Sequence, residues 1–503
     1  MNLTSINTLG ELKKIGYKSV SIKDELRKNL IHALKNNENP FSGILGYEET
    51  VIPDIETAIL SRHNIILLGL RGQAKTKIAR LLINLLDEYI PAIDGAELND
   101  DPLKPLSRTA KDLIAQSCDD TKIRWIHRSE RYTEKLATPD VSVADLIGDV
   151  DPIKAASLKL PYSDERVIHF GLIPRSHRSI FVINELPDLQ ARIQVALFNI
   201  LQENDIQIRG FKVRLPLDIQ FMFTANPEDY TNRGSIVTPL KDRIGSQILT
   251  HYPKTVEISR EITKQEANLT SEQESAIQSN QLLEDLIEQI AFEARKSEYI
   301  DSKSGVSARL TISAFENLVS TAERRMIINN ETGTQLRISD IYGIIPSMTG
   351  KIELVYEGEQ EGPSKVAFIL IGKAIKTLFL NYFPSPEKQK KSHDISPYQA
   401  ITNWFSKGNV IDMLTTVPNS EFEKTLKSIP GLKELVKKYQ PKADEKLQLL
   451  YMEFILHGLA EYSMLSKFRL EYGIQFKDML SSMFSMNNDE DDQIIPEQDD
   501  FYR

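Results

Sequence analysis

The sequence is poor in several features that mark particular classes of protein. It has one cysteine, Cys118, among 503 residues, which excludes a disulfide framework and a zinc site of four cysteines. None of its eight histidines forms a His-Glu-x-x-His pair or another metal-binding spacing. Its 61 basic residues face 71 acidic ones, a net charge of −10, so the composition carries no general signature of nucleic-acid binding.

Long apolar runs are also missing. A membrane-spanning helix needs about 20 apolar residues, and the nearest stretch, 366–383, is interrupted by Lys373 and Lys376. The first residues, MNLTSINTLGELKKIG, have no cationic start followed by an apolar run, which a signal peptide would have. We therefore expect a cytoplasmic protein.

The chain is too long for one domain, because a single hydrophobic core rarely grows beyond about 250–300 residues. The tail 487–503 carries seven acidic residues and one arginine, so we expect it to be disordered. The predicted segments are a helical N-terminal lead-in at 1–40, an α/β domain at 41–255, a helical lid domain with a short β insertion at 256–383, a linker at 384–396, a C-terminal helical region at 397–486 and the acidic tail.

The α/β prediction rests on short apolar runs that alternate with helical patterns. Residues 64–69, 179–183 and 219–224 are predicted to be buried strands of a parallel sheet. A helix between the second and third strands is indicated by an apolar face. That face consists of Ile193, Leu197, Ile200 and Leu201. Residues 206–213 predict a β-hairpin around Arg209-Gly210, and 351–356 is the predicted β insertion.

A phosphate-binding loop is indicated directly after the first strand. The run Gly69-Leu-Arg-Gly-Gln-Ala-Lys-Thr76 has the pattern G-x-x-x-x-G-K-[ST], with Ala74 in place of the second glycine. In such loops backbone N–H groups face phosphates, Lys75 would neutralise phosphate charge, and Thr76 would bind Mg²⁺. If position 74 needs a positive φ, alanine costs about 1 kcal/mol there. The alternative is an ordinary turn that contains glycine.

The other two strands end in polar residues. The strand at 180–183 ends in Asn184-Glu185, where P-loop ATPases usually have Asp-Glu. Glu185 could activate water as a general base, and Asn184 could orient a metal-bound water without supplying charge. The third strand ends at Asn226, which could contact the γ-phosphate or the attacking water. The alternative is that these are solvated strand ends.

Two arginines follow in the order that a ring ATPase would need. Arg243 lies seventeen positions after Asn226 and could reach the γ-phosphate of a neighbouring subunit as an arginine finger. Arg309 is predicted to open a helix of the lid and to contact the nucleotide from there. Alone, each would be read as a surface arginine; their order after Lys75 and Glu185 favours the functional interpretation.

Together these motifs resemble those of AAA+ ATPases of the magnesium-chelatase I-subunit and MoxR type, in particular a longer bacterial branch with a C-terminal extension. The motifs that carry the resemblance are 69–76, Phe170-Gly-Leu-Ile-Pro-Arg175, Asn184-Glu-Leu-Pro-Asp188, Asn226-Pro-Glu228 and Leu240-Lys-Asp-Arg243. The resemblance implies a P-loop AAA+ domain followed by an all-α lid. It also implies inserted hairpins near 167–174 and 206–215.

The same resemblance assigns roles to residues. The expected catalytic residues are Glu185, Asn226 and Arg243, and the expected magnesium ligands are Thr76 and Asn184, through ATP or water. The residues expected to bind ATP are Tyr47, Gly69, Arg71, Gly72, Gln73, Ala74, Lys75, Thr76, Lys77 and Arg309. The expected assembly is a homo-oligomeric, hexameric ring with ATP at its interfaces, acting with a partner that has a von Willebrand A domain.

Three functions remain open from the sequence. The first is an ATP-hydrolysing motor that remodels a protein partner or complex, and the second is the motor subunit of a magnesium chelatase in tetrapyrrole synthesis. The third is a slow or inactive nucleotide-dependent scaffold, since Ala74 and Asn184 both depart from the usual Mg-ATP site. A nucleic-acid motor is disfavoured by the acidic composition.

Overall fold

A computed structural model describes residues 3–162, 164–203, 205–208, 214–226, 235–389 and 396–479. The chain divides into two compact units between Tyr252 and Pro253. Helices and strands are numbered below in chain order within the described residues. Short 3-10 helices occur at Leu3–Ser5, Leu82–Leu85, Cys118–Asp120, Arg128–Arg131, Glu165–Val167, Leu186–Asp188 and Ile338–Ile344.

The first unit alternates helices and strands. Its helices are α1 (Leu9–Lys14), α2 (Ile22–Asn36), α3 (Val51–Leu60), α4 (Lys75–Leu81), α5 (Arg108–Ser117), α6 (Val143–Leu146), α7 (Pro152–Leu158), α8 (Leu172–Arg175), α9 (Ala191–Glu203) and α10 (Thr238–Arg243). Its strands are β1 (Ile65–Leu68), β2 (Tyr89–Ile93), β3 (Ile123–His127), β4 (Tyr132–Leu136), β5 (Gly148–Val150), β6 (Ile168–Phe170), β7 (Ser179–Asn184), β8 (Asp205–Gln207), β9 (Arg214–Pro216), β10 (Ile219–Ala225) and β11 (Ser246–Leu249).

A parallel five-stranded sheet forms the centre of this unit, in the order β11-β1-β10-β7-β4. Every residue of β1, β7 and β10 is buried, as expected for a parallel sheet covered on both faces. The three predicted strands and the helix α9 are confirmed. This sheet and the strand-loop-helix at 65–81 make the first unit an α/β domain, as the sequence predicted.

The segment predicted as a helical lead-in, 1–40, contains the helices α1 and α2 and belongs to the first compact unit. Leu26 and Leu30 on α2 are fully buried in the same cluster as Ile65 and Leu67 of β1. Burial of this apolar face outweighs the polar appearance of the segment, so the N-terminal helices belong to the first unit.

One of the two predicted hairpins is confirmed and the other differs from the structure. In the region predicted at 206–215, β8 pairs antiparallel with β9 and Ile206 lies opposite Leu215; residues 209–213, which include the predicted turn and Phe211, lie outside the described part of the chain. The other hairpin was predicted at 167–174. In that region β6 pairs with β5, and α7 lies between them. Residues 167–174 are therefore one side of a longer insert and not a hairpin.

The second unit is mainly helical. Its helices are α11 (Val256–Glu266), α12 (Ser271–Ala276), α13 (Gln281–Lys296), α14 (Arg309–Ile328), α15 (Ile345–Thr349), α16 (Tyr356–Glu361), α17 (Pro363–Tyr382), α18 (Pro386–Gln389), α19 (Gln399–Phe405), α20 (Asn419–Lys427), α21 (Leu432–Tyr439) and α22 (Glu445–Glu461). Its strands are β12 (Ile277–Gln278), β13 (Thr334–Gln335), β14 (Ile411–Leu414), β15 (Ser466–Leu470) and β16 (Gly473–Lys477).

The sequence suggested a separate C-terminal helical region after a linker. In the structure this region shares one hydrophobic core with the predicted lid. One hydrophobic cluster extends from Ile277 to Phe476, and Phe379 of α17 contacts the rings of Tyr398 and Phe454. The Glu453 carboxylate accepts the backbone N–H groups of Ile338 and Ser339 at 2.6 and 2.9 Å, and burial raises its pKa to about 7. These contacts join the predicted lid and C-terminal region into one unit.

Two further expectations are corrected in this unit. Residues 411–477 contain an antiparallel sheet, β14-β16-β15, because Ile474 and Phe476 alternate with polar residues and bury one face. The predicted β insertion at 351–356 contains a single bridge, Ile300 to Leu354, and α16 begins at Tyr356. The acidic tail at 487–503 lies outside the described residues.

Within the described residues, no helix combines the length and the hydropathy that crossing a membrane would require.

A buried ion pair holds α2 against the sheet. The Arg131 guanidinium donates two hydrogen bonds to Glu25, at 2.7 and 2.6 Å, and a third to the carbonyl of Arg178 at 3.0 Å.

Arg131→Met would leave the Glu25 carboxylate buried without its cation. We expect this substitution to lower the free energy of unfolding of the first unit by about 3–5 kcal/mol. The measurement is the unfolding transition of that unit in urea.

The matched control is Lys13→Met, which removes an ion pair to Asp119 whose two side chains are 52% and 68% exposed. Its cost should be about 1 kcal/mol or less. Equal costs for the two variants would contradict the structural role given to the Arg131–Glu25 pair.

Candidate functional site

The loop between β1 and α4 has the left-handed backbone that its sequence pattern suggested. Gly72 has φ of +71° and Ala74 has φ of +55° with ψ of 14°. Ala74 therefore carries the conformational cost anticipated for it. At Gly69 an added Cβ would meet Oγ1 of Thr250 and Oε1 of Gln73, so a larger residue there would displace these side chains.

Lys75 begins α4 and is buried, with 8% of its surface exposed. Its ammonium donates hydrogen bonds to the carbonyl of Gly69 and, at 2.9 Å, to the carbonyl of Leu70. A third hydrogen bond, of 2.6 Å, reaches Oδ1 of Asn226 directly after β10. The lysine thus joins the loop after β1 to the end of the neighbouring strand.

Asn226 connects Lys75 to Glu185. Its amide Nδ2 donates to Oε2 of Glu185 at 3.0 Å, and Asn226 is itself buried. Glu185 follows β7 with a left-handed backbone, φ of +55°, and its N–H donates to Oγ1 of Thr224 at 3.2 Å. The expected cation, amide and carboxylate therefore form one chain at the carboxyl edge of the sheet, where parallel α/β sheets place their ligand sites.

Asn184 lies beside these hydrogen-bonded side chains and is 7% exposed. Its Oδ1 accepts the Thr224 hydroxyl at 3.0 Å, and its Nδ2 donates to Oε1 of Glu134 at 2.6 Å. Glu134, on β4, also accepts Nε of Arg80 and the Tyr132 hydroxyl. Sequence reasoning missed Glu134, because β4 is short and only half-buried and gave no signal.

Tyr47 supports the loop from the opposite side. Its hydroxyl, a single donor, lies 2.6 Å from the carbonyl oxygen of His251 and 3.2 Å from that of Gln73, and burial raises the pKa of Tyr47. The segment after β11 adds two contacts that the sequence did not reveal. The Thr250 hydroxyl donates to Oε1 of Gln73 at 2.6 Å, and the Tyr252 hydroxyl donates to the Arg71 carbonyl at 3.0 Å.

The remaining expected site residues are placed as follows. Thr76 and Lys77 occupy the first turn of α4 and are half-buried, and Arg71 is exposed. Arg243 ends α10; its guanidinium lies 5.2 Å from the ring centre of Phe198 and donates to Oε1 of Gln202 at 3.0 Å. Arg309 begins α14, as expected, and is exposed in the second unit.

These residues fit a nucleotide phosphate with a divalent cation. A buried ammonium stands beside a left-handed loop, and the Glu185 carboxylate and two amide side chains lie at the same edge of the sheet. Lysine and a tight backbone loop suit phosphate, and carboxylate, hydroxyl and amide oxygens suit magnesium and its water. In the part of the chain that the structure describes, no cluster of three or more His, Cys, Asp or Glu residues could hold a metal.

Comparison with known proteins found no matching family model. Among solved structures, the chain is similar to a protein named as a candidate ATPase of Cytophaga hutchinsonii, with 18% identity over 72% of this chain and 97% of that one and a TM-score of 0.29. It is also similar to a chain of the BchI–BchD complex of magnesium chelatase, with 19% identity over 64% and 98% and a TM-score of 0.34.

A third likeness is to Hsp104 with ATPγS and casein, with 12% identity over 66% of this chain and 52% of that one and a TM-score of 0.37. All three TM-scores lie below 0.5.

The strain at Ala74 can be tested directly. Ala74→Gly removes the Cβ that disfavours the left-handed backbone, and the exposed side chain loses little packing. We expect the free energy of unfolding of the first unit to rise by up to about 1 kcal/mol, measured by urea denaturation.

The control is Gly72→Ala, at φ of +71°, which should be destabilising by a similar amount. A lower stability for Ala74→Gly would show that the left-handed conformation at position 74 carries no strain.

Proposed function

We propose that this protein is an ATP-binding and ATP-hydrolysing AAA+ motor that remodels a protein partner or complex. The observation that carries the proposal is the chain Lys75–Asn226–Glu185, in which a buried ammonium, an amide and a carboxylate are joined by hydrogen bonds of 2.6 and 3.0 Å. The left-handed loop at 72–74, opening onto α4, supports the same assignment.

Each residue has a distinct role in this proposal. Lys75 and the loop 69–74 bind the phosphates of ATP, and Thr76 binds the magnesium ion that neutralises their charge. Glu185 accepts the proton of the attacking water, and Asn226, already bonded to Glu185, orients that water. Asn184 would contribute its amide oxygen to holding the magnesium ion, through ATP or water.

The finer features of the proposal come from the resemblance in sequence. Arg243 would act on the nucleotide of a neighbouring subunit in a hexameric ring, and its stacking on Phe198 supports a guanidinium held in one orientation. Arg309 would couple the lid to the nucleotide state, and Tyr47 would lie near the adenine. The partner would be a protein with a von Willebrand A domain.

A second candidate is a slow, nucleotide-dependent scaffold. It is favoured by the neutral Asn184, whose amide is engaged by Thr224 and Glu134 on both sides. Turnover separates the two candidates, because a scaffold would bind ATP without hydrolysing it.

The test is steady-state ATP hydrolysis with Mg²⁺, comparing the wild type with Glu185→Gln. The amide retains the shape of the side chain but cannot accept the proton, so we expect turnover to fall by about a hundredfold or more while ATP still binds. The control is Glu203→Gln, an exposed glutamate at the end of α9, which should keep wild-type turnover.

Undiminished hydrolysis by Glu185→Gln would contradict the assignment of Glu185 as the base. ATP binding by the wild type without measurable turnover would favour the scaffold.

A further inference from the structure

The carboxylate nearest to Asn184 is supplied by a neighbouring strand. Glu134 on β4 accepts the amide Nδ2 of Asn184 at 2.6 Å, and the two strands are adjacent and parallel, with Leu136 opposite Asn184. This is a short hydrogen bond to a charged acceptor, which fixes which way the Asn184 amide faces. Its oxygen is thereby directed to the Thr224 hydroxyl at 3.0 Å.

Glu134 is itself held in place from two sides. Arg80 donates to its carboxylate from Nε at 3.0 Å and the Tyr132 hydroxyl donates at 3.1 Å, and the carboxylate-bearing side chain is 23% exposed. Arg80 lies on α4, the helix that Lys75 begins. The carboxylate is therefore fixed between the phosphate-loop helix and the strand that ends in Asn184-Glu185.

This arrangement explains why asparagine occupies position 184. An aspartate there would place a second carboxylate at hydrogen-bond distance from Glu134, and two such charges repel each other strongly. Asparagine instead donates to Glu134 through Nδ2 and presents Oδ1. A carboxylate bonded to the amide N–H also draws electron density toward the amide oxygen, because hydrogen bonds in a chain polarise one another.

The series of hydrogen bonds continues from Asn184 to Glu185, the proposed base. The Thr224 hydroxyl, which donates to Asn184, accepts the backbone N–H of Glu185 at 3.2 Å. Glu134, Asn184, Thr224 and Glu185 are thus linked by consecutive hydrogen bonds across three adjacent strands. A change in the charge of Glu134 would therefore act on Asn184, to which its carboxylate is bonded.

We propose that Glu134 is a positioning residue of the magnesium-nucleotide site, supplying through Asn184 the negative charge that an aspartate at position 184 would otherwise carry. This inference rests on the proposed function, since it presumes that Mg-ATP binds at this edge of the sheet. It assigns to β4 a part in the site that the sequence motifs gave only to β1, β7 and β10.

The experiment compares four full-length proteins: the wild type, Glu134→Gln, Asn184→Asp and the charge-swapped double variant. The first readout is the affinity of each protein for a fluorescent ATP analogue, measured once with Mg²⁺ and once with EDTA. We call the ratio of the two affinities the magnesium-dependent gain. The second is the melting temperature without nucleotide. Glu97→Gln is the control, because Glu97 pairs with Lys154 elsewhere in the first unit.

We expect Glu134→Gln to reduce the magnesium-dependent gain about tenfold, as removal of a partner behind a metal site does. The double variant should recover most of it, because the charge has moved to position 184. Asn184→Asp alone should melt at a lower temperature than both the wild type and the double variant, since it brings two carboxylates together. Glu97→Gln should keep the wild-type gain.

If the Glu134→Gln protein folds and keeps the magnesium-dependent gain of the wild type, the inference is overturned while the proposed function remains intact. An Asn184→Asp variant that melts like the wild type would equally overturn it, because the contact would then carry no charge coupling. Absence of ATP binding by the wild type, with or without Mg²⁺, would instead be a failure of the proposed function.

Discussion

The ammonium of Lys75 is buried, and the geometry of the site follows from the hydrogen bonds that satisfy its charge. Two of its hydrogen bonds go to carbonyls of its own loop, at Gly69 and Leu70. The loop can offer these oxygens only because Gly72 and Ala74 turn its backbone through left-handed conformations. The third bond requires Asn226, and hence the placement of β10 beside β1.

The order of the strands then determines which side chains meet. Because β10 lies between β1 and β7, Asn226 can contact both Lys75 and Glu185. Because β4 borders β7, Glu134 can reach Asn184. A row of hydrogen bonds across four parallel strands thus joins residues that are up to 151 positions apart in sequence.

The sequence was informative where the physical cause is local. Continuous apolar runs predicted β1, β7 and β10, since strands covered on both faces need no alternation, and the loop 69–76 was evident from its spacing. Glu134, Thr250 and Tyr252 could not be found this way, because their roles depend on strand and loop neighbours that no local pattern specifies. The same reason accounts for α2, whose buried face is visible only once Leu26 and Leu30 meet the sheet.

The second unit illustrates a different limit. Helix α14 begins at Arg309, as the sequence predicted, but β14 pairs with β16, more than fifty residues further along the chain. Such a distant pairing leaves only short alternations in the sequence.

The proposed binding of ATP phosphates by Lys75, at the edge of the parallel sheet, is tested most directly by an equilibrium titration with Mg-ATP. Lys75→Ala removes a hydrogen bond between two charged groups, so we expect its affinity to be about 10–100-fold below that of the wild type. The exposed Lys104→Ala, which leaves the loop intact, should bind like the wild type. Unchanged affinity in a folded Lys75→Ala protein would contradict the claim.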